Sequence, residues 1–169
     1  LVVVILIVIA LARMYQRVDR SEALVINGTR VSLTSALVVP LLHRAERISL
    51  LLHPIVVDRH GAESVVCLDK LRADIRVTFL VRVNRTAEDI LKVAQVVGCA
   101  RASDPAVLHA IFAAKFTEGL EIVARHFEFE QLHRTRDEFR DKVLEVIGRD
   151  LQGFILDDMA IDRLQHVER

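Results

Sequence analysis

Residues 71–83 read LRADIRVTFLVRV and alternate between two kinds of side chain along the whole stretch. The odd positions are apolar, whereas the even positions are charged or polar apart from Leu80. A period of two is that of a β-strand with one buried face. The stretch would extend over about 43 Å, which is well beyond the usual strand of about five or six residues. We therefore expect a long strand whose odd face, from Leu71 to Val83, lines a core.

The even face of this strand has two interpretations. A row of charges is most simply the solvated outer face of a sheet. Alternatively, a neighbouring copy of the chain covers it and the charges set the register of that contact, which makes Arg72, Asp74, Arg76 and Arg82 candidates for a protomer boundary. Exposed ion pairs are each worth only about 0–1 kcal/mol. The affinity of such a contact would therefore come from repetition and from tethering to one membrane.

Shorter extended segments precede the long strand, and we predict them at residues 22–26, 29–33, 36–39 and 45–57. Asn27-Gly28 stands between the first two and is a strong signal for a tight hairpin turn. Proline has no N–H to donate to a sheet, so Pro40 should end the third segment and Pro54 should break the fourth.

The period changes to 3.6 residues after Asn84, which is typical of helices. Residues 86–89 resemble a capping box with Asp in place of Glu, and the first helix should run to Val97 before Gly98. A second helix should begin at Asp104-Pro105, because proline is favoured in a first turn. Its apolar stripe consists of Leu108, Phe112, Phe116, Leu120, Val123 and Phe127.

The remaining sequence predicts a third helix and a last strand. Residues 135–138 form a full capping box, and the helix should end before Gly153. It should bury Phe139, Val143, Val146, Ile147 and Leu151. Residues 154–164 are predicted to return as a strand. The predicted fold class is α+β, with an antiparallel sheet packed against helices and a transmembrane helix before it.

The first twelve residues, LVVVILIVIALA, contain no polar side chain. As a helix they rise only about 18 Å, whereas a crossing takes about 20 apolar residues. We interpret them as the end of a transmembrane helix that would begin before Leu1. A buried strand and a cleaved signal peptide ending at Ala10-Leu11-Ala12 are the alternatives.

Basic residues follow the apolar run and predict its orientation. Arg13, Arg17 and Arg20 would hold the helix at the headgroups, and Tyr15 would lie at the depth of the membrane interface. Cytoplasmic loops carry an excess of such residues, so the rest of the chain is expected on the cytoplasmic side. Each charge near anionic lipid is worth about 1 kcal/mol. The candidate membrane residues are Leu1, Val4, Leu6, Val8, Leu11, Arg13, Tyr15, Arg17 and Arg20.

Composition excludes some classes of function. The 169 residues have no net charge, with 23 basic and 23 acidic groups, so we expect no nucleic-acid partner. Cys67 and Cys99 form neither a disulfide framework nor a metal motif. His53, His60 and Cys67 recur at intervals of seven, but Pro54 and Gly61 break any helix that would bring them together. No phosphate-binding loop or nucleophile motif is present. We therefore predict no enzyme, no cofactor and no metal site.

The order of these parts resembles a known family. The segments ARMYQRVDRSEALVINGTRVSLTSALVVPLLHRAERISL (12–50), DKLRADIRVTFLVRVN (69–84) and EFEQLHRTRDEFRDKVLEVIGRDL (128–151) resemble the SPFH family of stomatin, prohibitin and flotillin, also called band 7. The closest likeness is to the bacterial flotillin-like inner-membrane proteins. ALVVPLLH at 36–43 and FLVRV at 79–83 are the most specific pieces. Thr34-Ser35 stands where many relatives have two glycines.

The resemblance implies one domain organisation. Residues 1–20 would be the transmembrane helix and its basic flank, and residues 21–165 an SPFH domain. Residues 166–169 would begin a further C-terminal segment of coiled coil. The protein would be a single-pass protein of the bacterial inner membrane.

The resemblance also implies a function. Family members are non-catalytic membrane scaffolds that assemble into large homo-oligomeric rings or cages and organise membrane microdomains. Their partners are membrane lipids, further copies and often a membrane protein of the NfeD type. The main alternative is a prohibitin-like regulator that encloses a membrane protease, and an enzyme using a cysteine or a metal is more distant.

Overall fold

The computed structural model describes residues 15–17, 19, 21–33, 35–37 and 45–166. These residues fall into two compact units. The first unit lies within Leu1–Leu51 and Val83–Asp104, and the second within Leu52–Arg82 and Pro105–Arg169.

The first unit contains two small antiparallel sheets. Strand β1 (Tyr15–Arg17) pairs with β4 (Ser35–Leu37). Strand β2 (Glu22–Ile26) lies between β3 (Arg30–Ser32) and β5 (Ala45–Ser49). The segments predicted at 22–26 and 29–33 are therefore confirmed, the second in shortened form, and the part of 36–39 beyond Leu37 lies outside the described residues.

The predicted hairpin turn joins β2 to β3. Asn27 and Gly28 both have positive φ angles, of 52° and 66°, and the N–H of Thr29 donates to the carbonyl of Ile26 at 3.1 Å. Two consecutive positive φ angles define a type I′ turn, whose twist suits a hairpin. The Asn-Gly prediction is thus confirmed.

Two helices complete the first unit, α1 (Ala87–Val96) and α2 (Cys99–Ala102). Thr86 caps α1, because its hydroxyl oxygen accepts from the N–H of Asp89 at 3.3 Å. The same hydroxyl donates to the Asp89 carboxylate at 2.6 Å, and Asn84 donates to it as well. The predicted start of the helix is confirmed, whereas the short helix α2 was not predicted.

The second unit is built around a five-stranded sheet. Its strands are β6 (His53–Arg59), β7 (Val65–Val66), β8 (Arg72–Val83), β9 (Asp150–Leu151) and β10 (Phe154–His166), and the last residue of β8 belongs to the first unit. Their order is β6-β8-β10-β9, and β7 pairs with the start of β8. Strand β8 therefore lies in the interior of the sheet.

The long strand of the sequence is confirmed as β8. Its odd residues from Ala73 to Val83 are at most 1% exposed, and they form the apolar face of the sheet. Leu71, however, precedes the strand and is 42% exposed. Its assignment to the core was wrong, because the chain at Leu71 has not yet entered the sheet.

The segment predicted at 45–57 is two strands, but Pro54 does not separate them. The break falls between Ser49 and His53, and Pro54 lies inside β6, opposite Leu80 of β8. Strand β6 is at the edge of the sheet, where a residue without an N–H costs no ladder hydrogen bond. The predicted break at Pro54 was therefore wrong.

Three helices belong to the second unit, α3 (Pro105–Ala124), α4 (Phe129–Arg134) and α5 (Arg136–Ile147). Helix α3 packs on β6 and on α5. The rings of Phe79 and Phe116 are 4.5 Å apart, and Phe112 contacts both Phe116 and Phe154. The predicted start and stripe of α3 are confirmed, except that Phe127 lies beyond its end and is only half-buried.

The third predicted helix needs correction at both ends. The hydroxyl of Thr135 donates backward to the carbonyl of Gln131 at 2.9 Å and makes no cap. The capping box is formed one helix earlier, by Glu128 and Gln131 of α4. Helix α5 ends at Ile147, before Gly148 with φ 80°, so Leu151 is buried in β9 instead. The predicted burial of Val146 was wrong, since it is 42% exposed, whereas Phe139, Val143 and Ile147 are buried.

The α+β class with antiparallel sheets and packed helices is confirmed, and so is the last strand, β10. The apolar residues 1–12 of the predicted transmembrane helix lie outside the described residues. No helix among the described residues is long and apolar enough to cross a membrane.

Candidate interaction surface

The even residues of β8 lie on one face of the second unit's sheet, opposite its phenylalanine core. They share this face with aspartates from the two flanking strands. We call this surface the polar sheet face, and it comprises Asp58, Arg72, Asp74, Arg76, Thr78, Arg82, Asp157 and Asp162. The four predicted boundary residues are thus brought together on one surface.

The pairs between β8 and β10 are short. Arg82 Nε donates to Asp157 Oδ2 at 2.7 Å, and Thr78 Oγ1 donates to Asp162 Oδ2 at 2.6 Å. As the residue number falls along β8 it rises along β10, so the two strands are antiparallel. The side chains of Arg82 and Asp157 are only 26% and 33% exposed. Arg82 is therefore committed to its own chain.

Arg76 is held more loosely. It lies directly across from Asp58 of β6, but its guanidinium is 4.0 Å from that carboxylate and its side chain is 45% exposed. The other oxygen of Asp58 is 3.3 Å from His60 Nδ1. Arg76 therefore keeps donor groups available to a second molecule.

Arg72 and Asp74 hold a turn beside the sheet. The N–H of Gly61 donates to Asp74 Oδ1 at 2.9 Å, and Arg72 donates to the carbonyl of Ala62 at 3.2 Å. Gly61 has a φ of 60°, which glycine adopts more readily than other residues. Asp74 thus fixes the start of a 3₁₀ turn at Gly61–Glu63.

The polar sheet face is mixed in charge, since it carries three arginines and four aspartates. Such a surface lacks the single sign that would attract a polyanion. It suits contact with another protein surface of alternating charge. Sequence reasoning missed Asp58, Asp157 and Asp162, because no pattern within their own segments places them beside β8.

The predicted membrane residues are not tested by the fold. Leu1, Val4, Leu6, Val8, Leu11, Arg13 and Arg20 lie outside the described residues. Tyr15 and Arg17 belong to strand β1, so the basic flank is in part extended backbone. The single membrane span remains a prediction.

The two cysteines and His53 are poor candidates for chemistry. Burial raises the pKa of the Cys67 and Cys99 thiols to about 11 in both cases, so both are protonated at neutral pH, whereas a nucleophile must be a thiolate. Burial also lowers the pKa of His53. Across the residues with described positions, no three potential ligands are close enough together to hold a metal ion.

The fold is of the α+β class, and the sheet of its second unit carries a face of mixed charge. No family model matches the chain. It is similar to the flotillin family inner membrane protein YqiK of Escherichia coli (strain K12), with 27% identity over 173 residues that cover 99% of the chain. The chain spans 31% of that relative. This similarity confirms the resemblance to the flotillin-like SPFH proteins.

Proposed function

We propose that this chain is part of a non-catalytic scaffold of the flotillin type, which assembles into large homo-oligomers at the bacterial inner membrane and organises membrane microdomains. One observation carries the proposal, namely the similarity of 99% of the chain to a flotillin family inner membrane protein. Because that relative is about three times longer, the scaffold role is proposed for the region that the chain represents. Membrane lipids, further copies and an NfeD-type membrane protein are its proposed partners.

The polar sheet face supports a contact between protomers. Arg82 and Asp74 are hydrogen-bonded within the chain. Arg76 is exposed, and its guanidinium is as far as 4.0 Å from the carboxylate of Asp58. We therefore assign the larger share of the contact to Arg76. Because one exposed pair is weak, the assembly would depend on many repeated contacts on one bilayer.

A charge reversal at Arg76 tests this function. Arg76→Glu should reduce large assemblies to small species in the detergent-extracted chain, as measured by native mass analysis. Circular dichroism should show an unchanged fold, because the side chain is exposed. Arg47→Glu is the matched control, since Arg47 is 56% exposed and is also paired loosely, with Glu22 at 3.3 Å.

A double swap, Asp58→Arg with Arg76→Asp, separates assembly from folding. The double swap keeps an ion pair between positions 58 and 76 within the chain. A neighbouring copy would meet the opposite charge at each position, so assembly should still be lost. Unchanged assembly size in both variants would remove the polar sheet face as a boundary. A wild-type chain that never forms large species would remove the scaffold function itself, and steady co-purification of a membrane protease would favour the protease-enclosing alternative.

A further inference from the structure

One flank of helix α3 carries two isoleucines that the described elements leave partly exposed. Leu108, Phe116 and Leu120 face the core and are fully buried. On a flank of the helix, roughly 110° around the axis from the centre of this buried side, Ile111 and Ile122 are 41% and 42% exposed. A surface helix usually carries polar residues on its outer face. The exposed isoleucines therefore call for a partner.

The exposed side of α3 forms one narrow stripe. Ile111, Lys115, Glu118 and Ile122 are spaced by three or four residues, and all four fall within about 60° of arc at 3.6 residues per turn. The two isoleucines are about 16 Å apart along the helix axis. Lys115 and Glu118 have no ion-pair partner among the described residues. We call these four residues the α3 stripe.

The α3 stripe is complementary to itself. The midpoint between Lys115 and Glu118 is also the midpoint between Ile111 and Ile122. If two copies of α3 meet antiparallel about a two-fold axis through this point, Lys115 of each copy faces Glu118 of the other. In the same arrangement Ile111 of each copy faces Ile122 of the other. A parallel arrangement would instead place like charges together.

The surroundings of Ile122 can receive a side chain. Ile122 lines a groove of about 460 Å³ together with the apolar side chains of Phe127 and Val146, and the charged side chains of Glu138 and Lys142 also line it. Val146 of α5 is itself 42% exposed. The groove therefore continues the apolar surface at the end of the stripe where Ile111 of a second copy would arrive.

We propose that the α3 stripe is a two-fold contact between copies of this chain, in which Lys115 and Glu118 set the register and the isoleucines enter the neighbouring groove. This inference rests on the proposed self-assembly and names a second surface for it. A two-fold contact uses the same patch on both copies. It would link protomers in pairs, whereas the polar sheet face would extend the assembly.

The contact is expected to be weak in isolation. A single pair of helices buries less than the roughly 1,200 Å² of a standard stable interface. Attachment of both copies to one membrane would raise their effective concentration and compensate for this. The experiment therefore needs a concentrated sample of the whole chain in detergent, with dimerisation followed by sedimentation velocity.

Two single variants and their mixture test the two-fold geometry. Lys115→Glu alone places two carboxylates against each other at both pairs, and Glu118→Lys alone places two ammonium groups there. Each variant should dimerise about tenfold more weakly than the wild type, because two attractions become repulsions. An equimolar mixture should recover the wild-type affinity, since both pairs are again opposite in charge. Both residues are exposed, so the fold should not change.

Several outcomes would overturn the inference. The inference fails if both single variants dimerise with the wild-type affinity or if the mixture does not recover that affinity. It also fails if the wild-type chain stays monomeric at high concentration. Flotation with liposomes tests the alternative that the stripe binds lipid. If the wild-type chain floats with liposomes and Ile111→Ser does not, the stripe contacts lipid and not a second copy. If the Lys115 and Glu118 variants lose dimerisation but keep the large assemblies that depend on Arg76, the two-fold contact is supported and the proposed scaffold function is unaffected.

Discussion

The two units of this chain differ in the side chains that form their cores. All seven phenylalanines belong to the second unit, where the rings of Phe79, Phe112, Phe116 and Phe154 form a connected cluster. The described core of the first unit consists of smaller side chains, namely Ala23, Leu24, Val25, Ile48, Leu50, Val83, Ile90, Val93, Cys99 and Ala102. The second unit therefore gains more from burial of apolar area.

Hydrogen bonds between side chains and backbone stabilise the first unit as well as the second. Ser103 accepts from the N–H of Ser49 at 2.9 Å, and Gln95 donates to the carbonyl of Gly28 at 3.2 Å. Thr86 caps α1. Such bonds are directional and are each worth about 1 kcal/mol. The comparison teaches that loss of a core ring in the second unit should cost more than loss of a hydrogen-bonded cap in the first.

The largest effect is expected from Phe116→Ala. Phe116 is fully buried against Phe79 and Phe112, and loss of a buried phenylalanine costs about 3–5 kcal/mol. Hydrogen exchange measured by mass spectrometry should show faster exchange throughout the second unit. Phe129→Ala is the control, because Phe129 is half-buried and its ring lies outside this cluster, against the rings of His133 and His166. Equal losses in the two variants would contradict the proposed role of the ring cluster.

A smaller effect is expected from Thr86→Ala in the first unit. Removal of a threonine cap costs about 1 kcal/mol, and faster exchange should be confined to α1 and its neighbours. Thr135→Ala is the matched control, because Thr135 also precedes a helix but makes no cap. If both threonines proved equally important, the hydrogen bonds of Thr86 would not be what stabilises α1.

The smallest effect is expected from the titration of His53 in the second unit. Burial lowers the pKa of His53 from its ordinary value of 6.5, so the folded chain holds the residue neutral while the unfolded chain binds a proton. Stability should therefore fall as the pH drops through about 6.5 toward the lower pKa of the folded state. Urea denaturation at pH 5.5 to 7.5 should show this slope.

The variant His53→Leu isolates that titration. Nε2 of His53 is buried and has no hydrogen-bond partner among the described residues, so leucine removes no bond. The variant should have a flatter dependence on pH over the same range. An unchanged slope would show that other histidines are responsible.

Local patterns predicted the elements whose signals are contained in a few neighbouring residues. The alternation in 71–83, the Asn27-Gly28 turn and the start of α3 at Pro105 all depend on backbone preferences within one segment. The errors fall at boundaries that other segments decide. Thr135 lies in a sequence typical of a helix cap, but its hydroxyl donates to a carbonyl of the preceding helix α4. Leu71 continues the alternation of β8 in sequence, but it lies just before the first residue of the strand.

The candidate surface was predictable only in part. Arg72, Asp74, Arg76 and Arg82 share a face because a strand alternates, which the sequence alone determined. Their different roles depend on Asp58, Asp157 and the turn at Gly61, which come from distant segments. The symmetry of the α3 stripe follows from the spacing of its four residues along one helix. Its exposure follows only from the tertiary structure, in which α5 and the sheet cover the other sides of α3.

The sequence by itself therefore determined the α+β class, the two faces of β8 and the likeness to flotillin-type proteins, because periodicity and composition act locally along the chain. Only the tertiary structure decided which charges of the polar sheet face are paired within the chain and which remain exposed. It also decided that the isoleucines of the α3 stripe stay exposed. Those properties depend on the register between strands and on packing between helices, which join residues that are far apart in the chain.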